Sequence, residues 1–112
     1  MSEIETIRKV LKKLRKQLPM KAKDFALQFV NSTKCMLWFE GREFDRSVKN
    51  GSVIAGKYDA EECDVICGSR YYRVVLRNSV YLISSVDDEC FYILHYDIYK
   101  VELVHEVKED EV

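Results

Sequence analysis

The chain has 112 residues, of which 47% are hydrophobic, 12% aromatic and 33% charged, and its formal net charge is -1. This length predicts one domain, 1–112, that can bury a hydrophobic core without disulfides or metals. The apolar fraction excludes an intrinsically disordered chain. No run of about 18 uncharged apolar residues is present and the N-terminus is charged, so the sequence predicts no membrane span, no signal peptide and a cytoplasmic location.

The small net charge conceals an asymmetry along the chain. Residues 1–23 contain eight basic and two acidic side chains, so the excess of acid lies in the rest of the sequence. Such asymmetry is typical of chains that bind nucleic acid, a membrane surface or an acidic partner. It also arises when a basic helix lies on the acidic surface of its own chain.

A helix is predicted at the N-terminus. Ser2 and Glu5 have the spacing of a capping box, in which each side chain bonds to the backbone of the other. Pro19 disfavours helix at the residue before it, so we expect the helix to end at Leu18. At about 100° per residue, the apolar positions share one arc: Ile4, Ile7, Val10, Leu11, Leu14 and Leu18. The adjoining arc holds all six basic residues of this segment: Arg8, Lys9, Lys12, Lys13, Arg15 and Lys16.

The next segment, Met20–Asn31, is consistent with either a helix or a strand. Apolar residues at i, i+1, i+4 and i+5 from Phe25 favour a helix that stops at Asn31. Apolar residues also alternate from Phe25 to Phe29, as they would in a strand. Periodicity over so short a run leaves both interpretations open.

A buried strand and a hairpin are predicted after this segment. Cys35–Phe39 is the buried strand, and the turn signal Glu40-Gly41 leads it into 42–48. Asn50-Gly51 is a strong hairpin signal, after which a further strand is expected at Ser52–Ala55.

A short helix is predicted between positions 59 and 67. Asp59 and Glu62 have the spacing of a second capping box, and Cys63, Ile66 and Cys67 follow at helical spacing. Gly68 stands where a glycine commonly ends a helix.

The segment Arg70–Val107 is the most apolar of the chain and is rich in β-branched and aromatic residues, which favour strands. Turn signals at Asn78-Ser79 and at 86–89 divide it into an antiparallel meander. The acidic tail 106–112 is expected to be solvated and frayed. The predicted fold is therefore α+β, with one or two N-terminal helices in a single layer on an antiparallel sheet of about five to seven strands.

Four residues of the sequence are candidate metal ligands. Cys63 and Cys67 lie one helical turn apart, and His95 and His105 are ten residues apart, which places both on one face of an unbroken strand. Zinc sites usually combine two closely spaced pairs, and no second cysteine pair is present. The cysteines are alternatively small core residues or disulfide partners: Cys35, Cys63, Cys67 and Cys90. No metal or other cofactor is predicted.

Catalysis has little support in the sequence. No nucleophile elbow, H-E-x-x-H, P-loop or G-x-G-x-x-G motif occurs. Asp87, Asp88 and Glu89 stand where a hairpin turn needs polar residues. His95 lies in an apolar stretch, as is typical of a hydrogen-bonded histidine within a strand. We therefore expect a non-enzymatic protein, with a small hydrolase or nuclease as the remote alternative.

Two binding functions remain. The basic arc of the first helix can neutralise phosphates, and Arg and Tyr side chains at 70–73 can bridge or stack nucleic acid. The predicted surface for nucleic acid or an acidic protein is Arg8, Lys9, Lys12, Lys13, Arg15, Lys16, Arg70 and Arg73. The alternative is a protein-protein interaction module or homodimer that uses an exposed sheet edge.

The overall style of the chain resembles the small orphan proteins encoded by viruses of hyperthermophilic archaea. The features that carry this resemblance are the short length, the many Lys, Glu, Tyr, Val and Ile residues, two glutamines (Gln17 and Gln28), and four cysteines without a secretory signal. It covers the whole chain but contains no signature motif and assigns no site residue. It implies a host cytoplasm in which intracellular disulfides are tolerated, and a role in host takeover, DNA binding or the virion.

Overall fold

The computed structural model describes residues 2–39, 53–85 and 91–107, with the backbone alone for 53–60, 78–85 and 91. Two helices pack on one face of an antiparallel sheet, so the predicted α+β fold is confirmed. The elements follow in the order α1 (Glu3–Arg15), β1 (Met20–Lys21), α2 (Ala22–Thr33), β2 (Met36–Phe39), β3 (Val53–Cys67), β4 (Arg70–Ser85), β5 (Phe91–Ile93) and β6 (Asp97–Glu106).

Strand β4 is the centre of the sheet. One side of β4 pairs with β3, and its other side pairs with β6 and then with β5, which in turn pairs with β1. Strand β2 pairs with the outer side of β3. A two-residue loop joins β3 to β4, and Gly68 adopts a φ of +61° in it, a conformation that glycine adopts at little cost.

The core lies between the helices and the inner face of the sheet, which is the face turned toward α1 and α2. Alternate residues of β3 and β4 supply it, as the two-residue period of a strand requires. These buried residues are Cys63, Val65, Cys67, Tyr72, Val74 and Leu76. The helices contribute Ile7, Val10, Leu11, Leu14, Phe25 and Phe29. The outer face of the sheet carries the residues between these positions, among them Met36, Trp38, Asp64, Tyr71 and Arg73.

The predicted short helix over 59–67 is wrong, because these residues belong to the 15-residue strand β3. Glu61, Cys63, Val65 and Cys67 are all buried, which is a period of two and not the helical period. Pairing with β4 along this segment overrides the local capping-box pattern.

The predicted turn at Asn78-Ser79 is also wrong, because β4 continues through it to Ser85. The register changes there: Tyr58 pairs with Val80 and Ala60 with Arg77, so two residues of β4 lie opposite one residue of β3. The turn-forming dipeptide therefore marks a β-bulge.

The helix ends differ from the predicted ones. Helix α1 ends at Arg15, three residues early, because the backbone N–H groups of the next three residues bond to carbonyls three residues back and tighten the last turn. The helical interpretation of the second segment is confirmed, but α2 begins at Ala22, since Met20 and Lys21 pair with β5. It continues past Asn31 to Thr33 and ends at Lys34, which has a left-handed φ of 63°.

Several predictions fall on residues outside the described ones. These are the Glu40-Gly41 turn, the strand at 42–48, the Asn50-Gly51 hairpin, the turn at 86–89, Cys90 and the tail from 108 onward. The first part of the predicted frayed tail is ordered, because Glu106 belongs to β6 and the Val107 N–H donates to the Ser69 carbonyl at 2.9 Å. In the described ranges, neither helix has the length and apolar character needed to cross a membrane.

Candidate nucleic-acid interface

Helix α1 rests on the sheet through its apolar side. Ile7, Val10, Leu11 and Leu14 are buried, as the predicted apolar arc requires. The Ser2 hydroxyl accepts a hydrogen bond from the Glu5 N–H at 3.2 Å, which confirms the predicted helix start. The basic arc therefore lies on the side of α1 away from the core.

The first turn of α1 is tied to β4 by a carboxylate. The Arg70 guanidinium lies against Glu3, with Nε 2.9 Å from Oε1 and Nη2 3.0 Å from Oε2. The Tyr72 hydroxyl donates to the same carboxylate. Burial, with a smaller contribution from the Glu3 carboxylate, raises the pKa of Tyr72 to about 12. Tyr72 therefore remains a hydrogen-bond donor throughout the neutral range.

The middle of α1 is tied to Tyr96, which lies between β5 and β6, and its end is tied to Asp97, the first residue of β6. The buried Tyr96 hydroxyl donates to the Leu11 carbonyl at 2.6 Å, and its ring packs edge-on against Phe25. Burial raises the pKa of Tyr96 as well. At the last turn, Arg15 Nη1 lies 3.3 Å from Asp97 Oδ1. The helix is thus fixed at three points along its length.

Five basic residues remain on the outward side of α1. Lys9, Lys12, Lys13 and Lys16 are exposed, and Arg8 is partly buried. Among the side chains that the structure describes, none of these five forms an ion pair. Their side chains and that of Glu5 border an open space of about 550 Å³ on the outward surface of α1. We call this set of five the basic ridge.

The structure separates the other three predicted binding residues from the basic ridge. Arg15 and Arg70 belong to the attachments of α1 to the sheet. Arg73 lies on the outer face of β4, on the opposite side of the sheet from the helices, with its Nε 4.0 Å from Asp64 Oδ1. The eight predicted residues therefore do not form one continuous surface.

The four residues considered for metal binding do not come together. Cys67 forms a disulfide with Cys35, whereas Cys63 is buried and lies outside this disulfide. His95 and His105 would share a face only on an unbroken strand, and that condition is not met, because residues 94–96 separate β5 from β6 and His95 lies among them. Within the described part of the chain, no three His, Cys, Asp or Glu side chains are grouped so that they could hold a metal ion.

The disulfide follows from the pairing of β2 with β3. Met36 lies opposite Ile66. Cys35, the residue before β2, therefore lies beside Cys67, the last residue of β3, with a Cα–Cα distance of 4.6 Å. The sequence left this possibility open without assigning a pair. The alternative that all four cysteines are free core residues is wrong.

Sequence patterns did not predict the roles of Glu3 and Tyr96, which fix α1 on the sheet, or the burial of Glu61. Glu61 was assigned to a helix cap, whereas it is a buried carboxyl residue, 1% exposed, on the inner face of β3. A single sequence contains no signal for the long-range contacts of Glu3 and Tyr96, which join residues 67 to 85 positions apart.

Comparisons of the chain with protein-family models, with curated proteins and with solved structures found no match.

Proposed function

We propose that the protein is a small non-enzymatic module that binds nucleic acid through the basic ridge. The observation that carries the proposal is the division of charge on α1. Its inward-facing charges, Glu3 and Arg15, have partners on the sheet, whereas its outward charges have none among the described side chains. A cluster of unpaired cations on a helix that cannot reorient is a fixed site for anions.

The stability of α1 does not account for the ridge. Arg8 and Lys12, Lys9 and Lys13, and Lys12 and Lys16 are each four residues apart, and like charges at that spacing destabilise a helix by about 0.2 to 0.5 kcal/mol per pair. The helix dipole favours cations only within the last turn, so it does not explain Arg8 or Lys9. The anchors on the inner side offset this repulsion.

The chemistry of the ridge favours phosphates over bases as its targets. Four of the five residues are lysines, which present point charges and lack the planar fork with which arginine reads a guanine edge. From Arg8 to Lys16 the helix advances about 12 Å, a length over which one strand of B-DNA presents about four phosphates, counted as one per about 3.4 Å of duplex axis. We therefore propose binding that does not depend on base sequence.

The disulfide supports a particular setting for this function. Disulfides persist in oxidising compartments and inside hyperthermophilic cells, but are rare in other cytosols. The Cys35–Cys67 bond thus agrees with an accessory protein that acts in the cytoplasm of a hyperthermophilic host, as the resemblance to archaeal viral proteins implies.

Matched charge reversals test the proposal. Lys12→Glu with Lys13→Glu changes the ridge, and Lys23→Glu with Lys34→Glu makes the same change of charge at exposed positions of α2 and its end. We expect the ridge variant to lose at least about 10-fold in affinity for a labelled duplex of random sequence, because two phosphate contacts are lost and two repulsions added. The control variant should lose much less.

Fluorescence anisotropy at low ionic strength measures both variants, and circular dichroism confirms that both are folded. Equal losses for the two variants would mean that only net charge matters. Absence of binding by the wild type to single- and double-stranded DNA and RNA would end the nucleic-acid proposal.

A further inference from the structure

We propose that the outer face of the sheet is the surface through which two copies of this chain form a symmetric dimer. The inference is independent of nucleic-acid binding, because the outer face lies on the other side of the sheet from α1. In the described residues the register places these on the outer face: Met36, Trp38, Asp64, Tyr71, Arg73, Lys100, Glu102 and His105. Tyr99 joins them through its contact with Arg77, which follows the inward-facing Leu76.

Large apolar side chains on this face are exposed. Trp38 and Tyr99 are each 55% exposed, Met36 49% and Tyr71 39%. Trp, Tyr, Met and Arg are enriched in protein–protein interfaces. Trp, Tyr and Arg are also enriched among the interface residues whose truncation causes the largest losses of binding free energy. A sheet that already buries one face against helices has no structural need for these residues on the other.

Several of these side chains are held in place before any partner binds. The rings of Tyr71 and His105 lie 5.9 Å apart, and the Arg77 guanidinium lies 3.5 Å above the centre of the Tyr99 ring. Side chains fixed in this way lose little conformational entropy on association, which lowers the cost of forming an interface.

The charges of the outer face identify the partner. Arg73 of β4 lies between Asp64 of β3 and Glu102 of β6 in the register, with its Nε 4.0 Å from Asp64 Oδ1, so acid and base alternate across these strands. Lys100 lies 3.0 Å from Glu102, two residues away along β6. A nucleic acid or a strongly charged protein would meet as much repulsion as attraction here. A second copy related by a two-fold axis brings the same balanced set, so each acid of one copy can lie opposite a base of the other.

The geometry favours the face of the sheet over its edge. Two edges of the sheet in the described part of the chain are β6, whose register with β4 shifts at two places, and β2, which is only four residues long. Bulges and short edge strands both hinder the addition of another strand. Three strands at about 4.8 Å over eight residues at about 3.4 Å, together with the four residues of β2, give a face of roughly 450 Å² in projection. The accessible surface of a face with protruding aromatic side chains is larger, which approaches the roughly 800 Å² per partner of a stable interface.

Trp38 provides a direct test, because it is the single tryptophan of the chain. Sedimentation velocity over a range of concentrations should show conversion of the 13.2 kDa chain to a species of twice that mass. The emission of Trp38 should shift to shorter wavelength, and its quenching by iodide should decrease, over the same range. A chain that stays monomeric up to about 1 mM, or a dimer in which Trp38 remains as accessible as in the monomer, would overturn the proposal.

Variants locate the contact. Met36→Glu and Tyr71→Glu should each abolish the heavier species while retaining Trp38 as a reporter. Leu27→Glu is the matched control, since Leu27 is 58% exposed but lies on α2 in the helical layer. Dimerisation lost equally in the control, or retained in both sheet variants, would contradict the assignment. The measurements on the wild type decide the question even if a sheet variant fails to fold.

Discussion

Glu3 is the residue at which the helical layer and the sheet are most closely tied. Its carboxylate accepts hydrogen bonds from the Arg70 guanidinium and from the Tyr72 hydroxyl. The Tyr96 hydroxyl donates to the Leu11 carbonyl in the middle of α1. Both tyrosines must be neutral to donate these hydrogen bonds. The attachment of α1 is therefore sensitive to the ionisation of two phenols.

A loss of stability at alkaline pH follows from these phenols. Burial raises the pKa of Tyr72 in the folded protein to about 12, and raises that of Tyr96 also, above the value near 10 expected in the unfolded chain. Below pH 10 both states keep the phenols protonated, so their contribution is constant; it is lost as the pH rises from 10 toward 12. Urea unfolding should show the free energy of unfolding falling over this range, and Tyr72→Phe should reduce the fall.

A free energy of unfolding that is constant between pH 9 and pH 11 would contradict the neutral, buried state of the two phenols.

The Cys35–Cys67 bond is the second residue-scale prediction. It links positions 32 apart, and closing a loop of that length in the unfolded chain is worth about 3 to 4 kcal/mol in the chain-entropy model. Reduction should lower the free energy of unfolding by about that amount, measured by denaturant titration with and without reductant. Cys63→Ala should not remove the effect of the reductant, since Cys63 is not part of the bond.

Thiol labelling followed by peptide mapping gives the complementary readout. Denatured, unreduced protein should label at Cys63 and leave Cys35 and Cys67 unlabelled. Labelling of Cys35 or Cys67 without a reductant would show that the bond is absent.

At the scale of elements, α1 and the central strands show what a sequence can and cannot predict. The apolar arc of α1 was predictable because a helix that packs on one side repeats its apolar residues at 3.6-residue spacing whatever it packs against. The structure of 59–67 was not, because Asp59 and Gly68 favour a helix locally and only pairing with β4 makes the segment a strand. Local patterns cannot include the free energy of a partner strand that lies elsewhere in the sequence.

The residues of the candidate site also divide into those that local spacing predicts and those whose position depends on contacts between elements. The basic ridge was predictable from spacing on one helix, whereas the loss of Arg15, Arg70 and Arg73 from it depends on contacts with Asp97, Glu3 and Asp64. Each of those contacts joins two different elements. The sequence does not show which residues of different elements lie close together in space, so these contacts were not predicted.

The packing of α1 predicts a contrast between neighbouring positions. Leu11 and Leu14 are 1% and 2% exposed, so Leu11→Ala or Leu14→Ala should lower the free energy of unfolding by about 2 to 5 kcal/mol. Lys12→Ala or Lys13→Ala should change it by less than about 0.5 kcal/mol, because both side chains are exposed. Thermal or urea unfolding measures both classes, and equal losses would show that α1 is not packed on the core.

At the scale of the whole molecule, the two layers present two different surfaces. The helical layer carries the basic ridge, and the opposite face of the sheet carries exposed aromatic residues among balanced charges. The first surface suits a polyanion and the second suits a second copy of the chain. Two copies joined through their sheets would place their ridges on opposite outer sides of the dimer.

The salt dependence of nucleic-acid binding tests the central claim most directly. If the basic ridge contacts about four phosphates, a plot of log K against log salt concentration for duplex DNA should have a slope of about -3.6, with nearly the same slope for unrelated base sequences. The ridge variant with Lys12→Glu and Lys13→Glu should show a slope reduced by about 2. A slope near zero, or one that is unchanged in that variant, would contradict the assignment of the basic ridge as the binding surface.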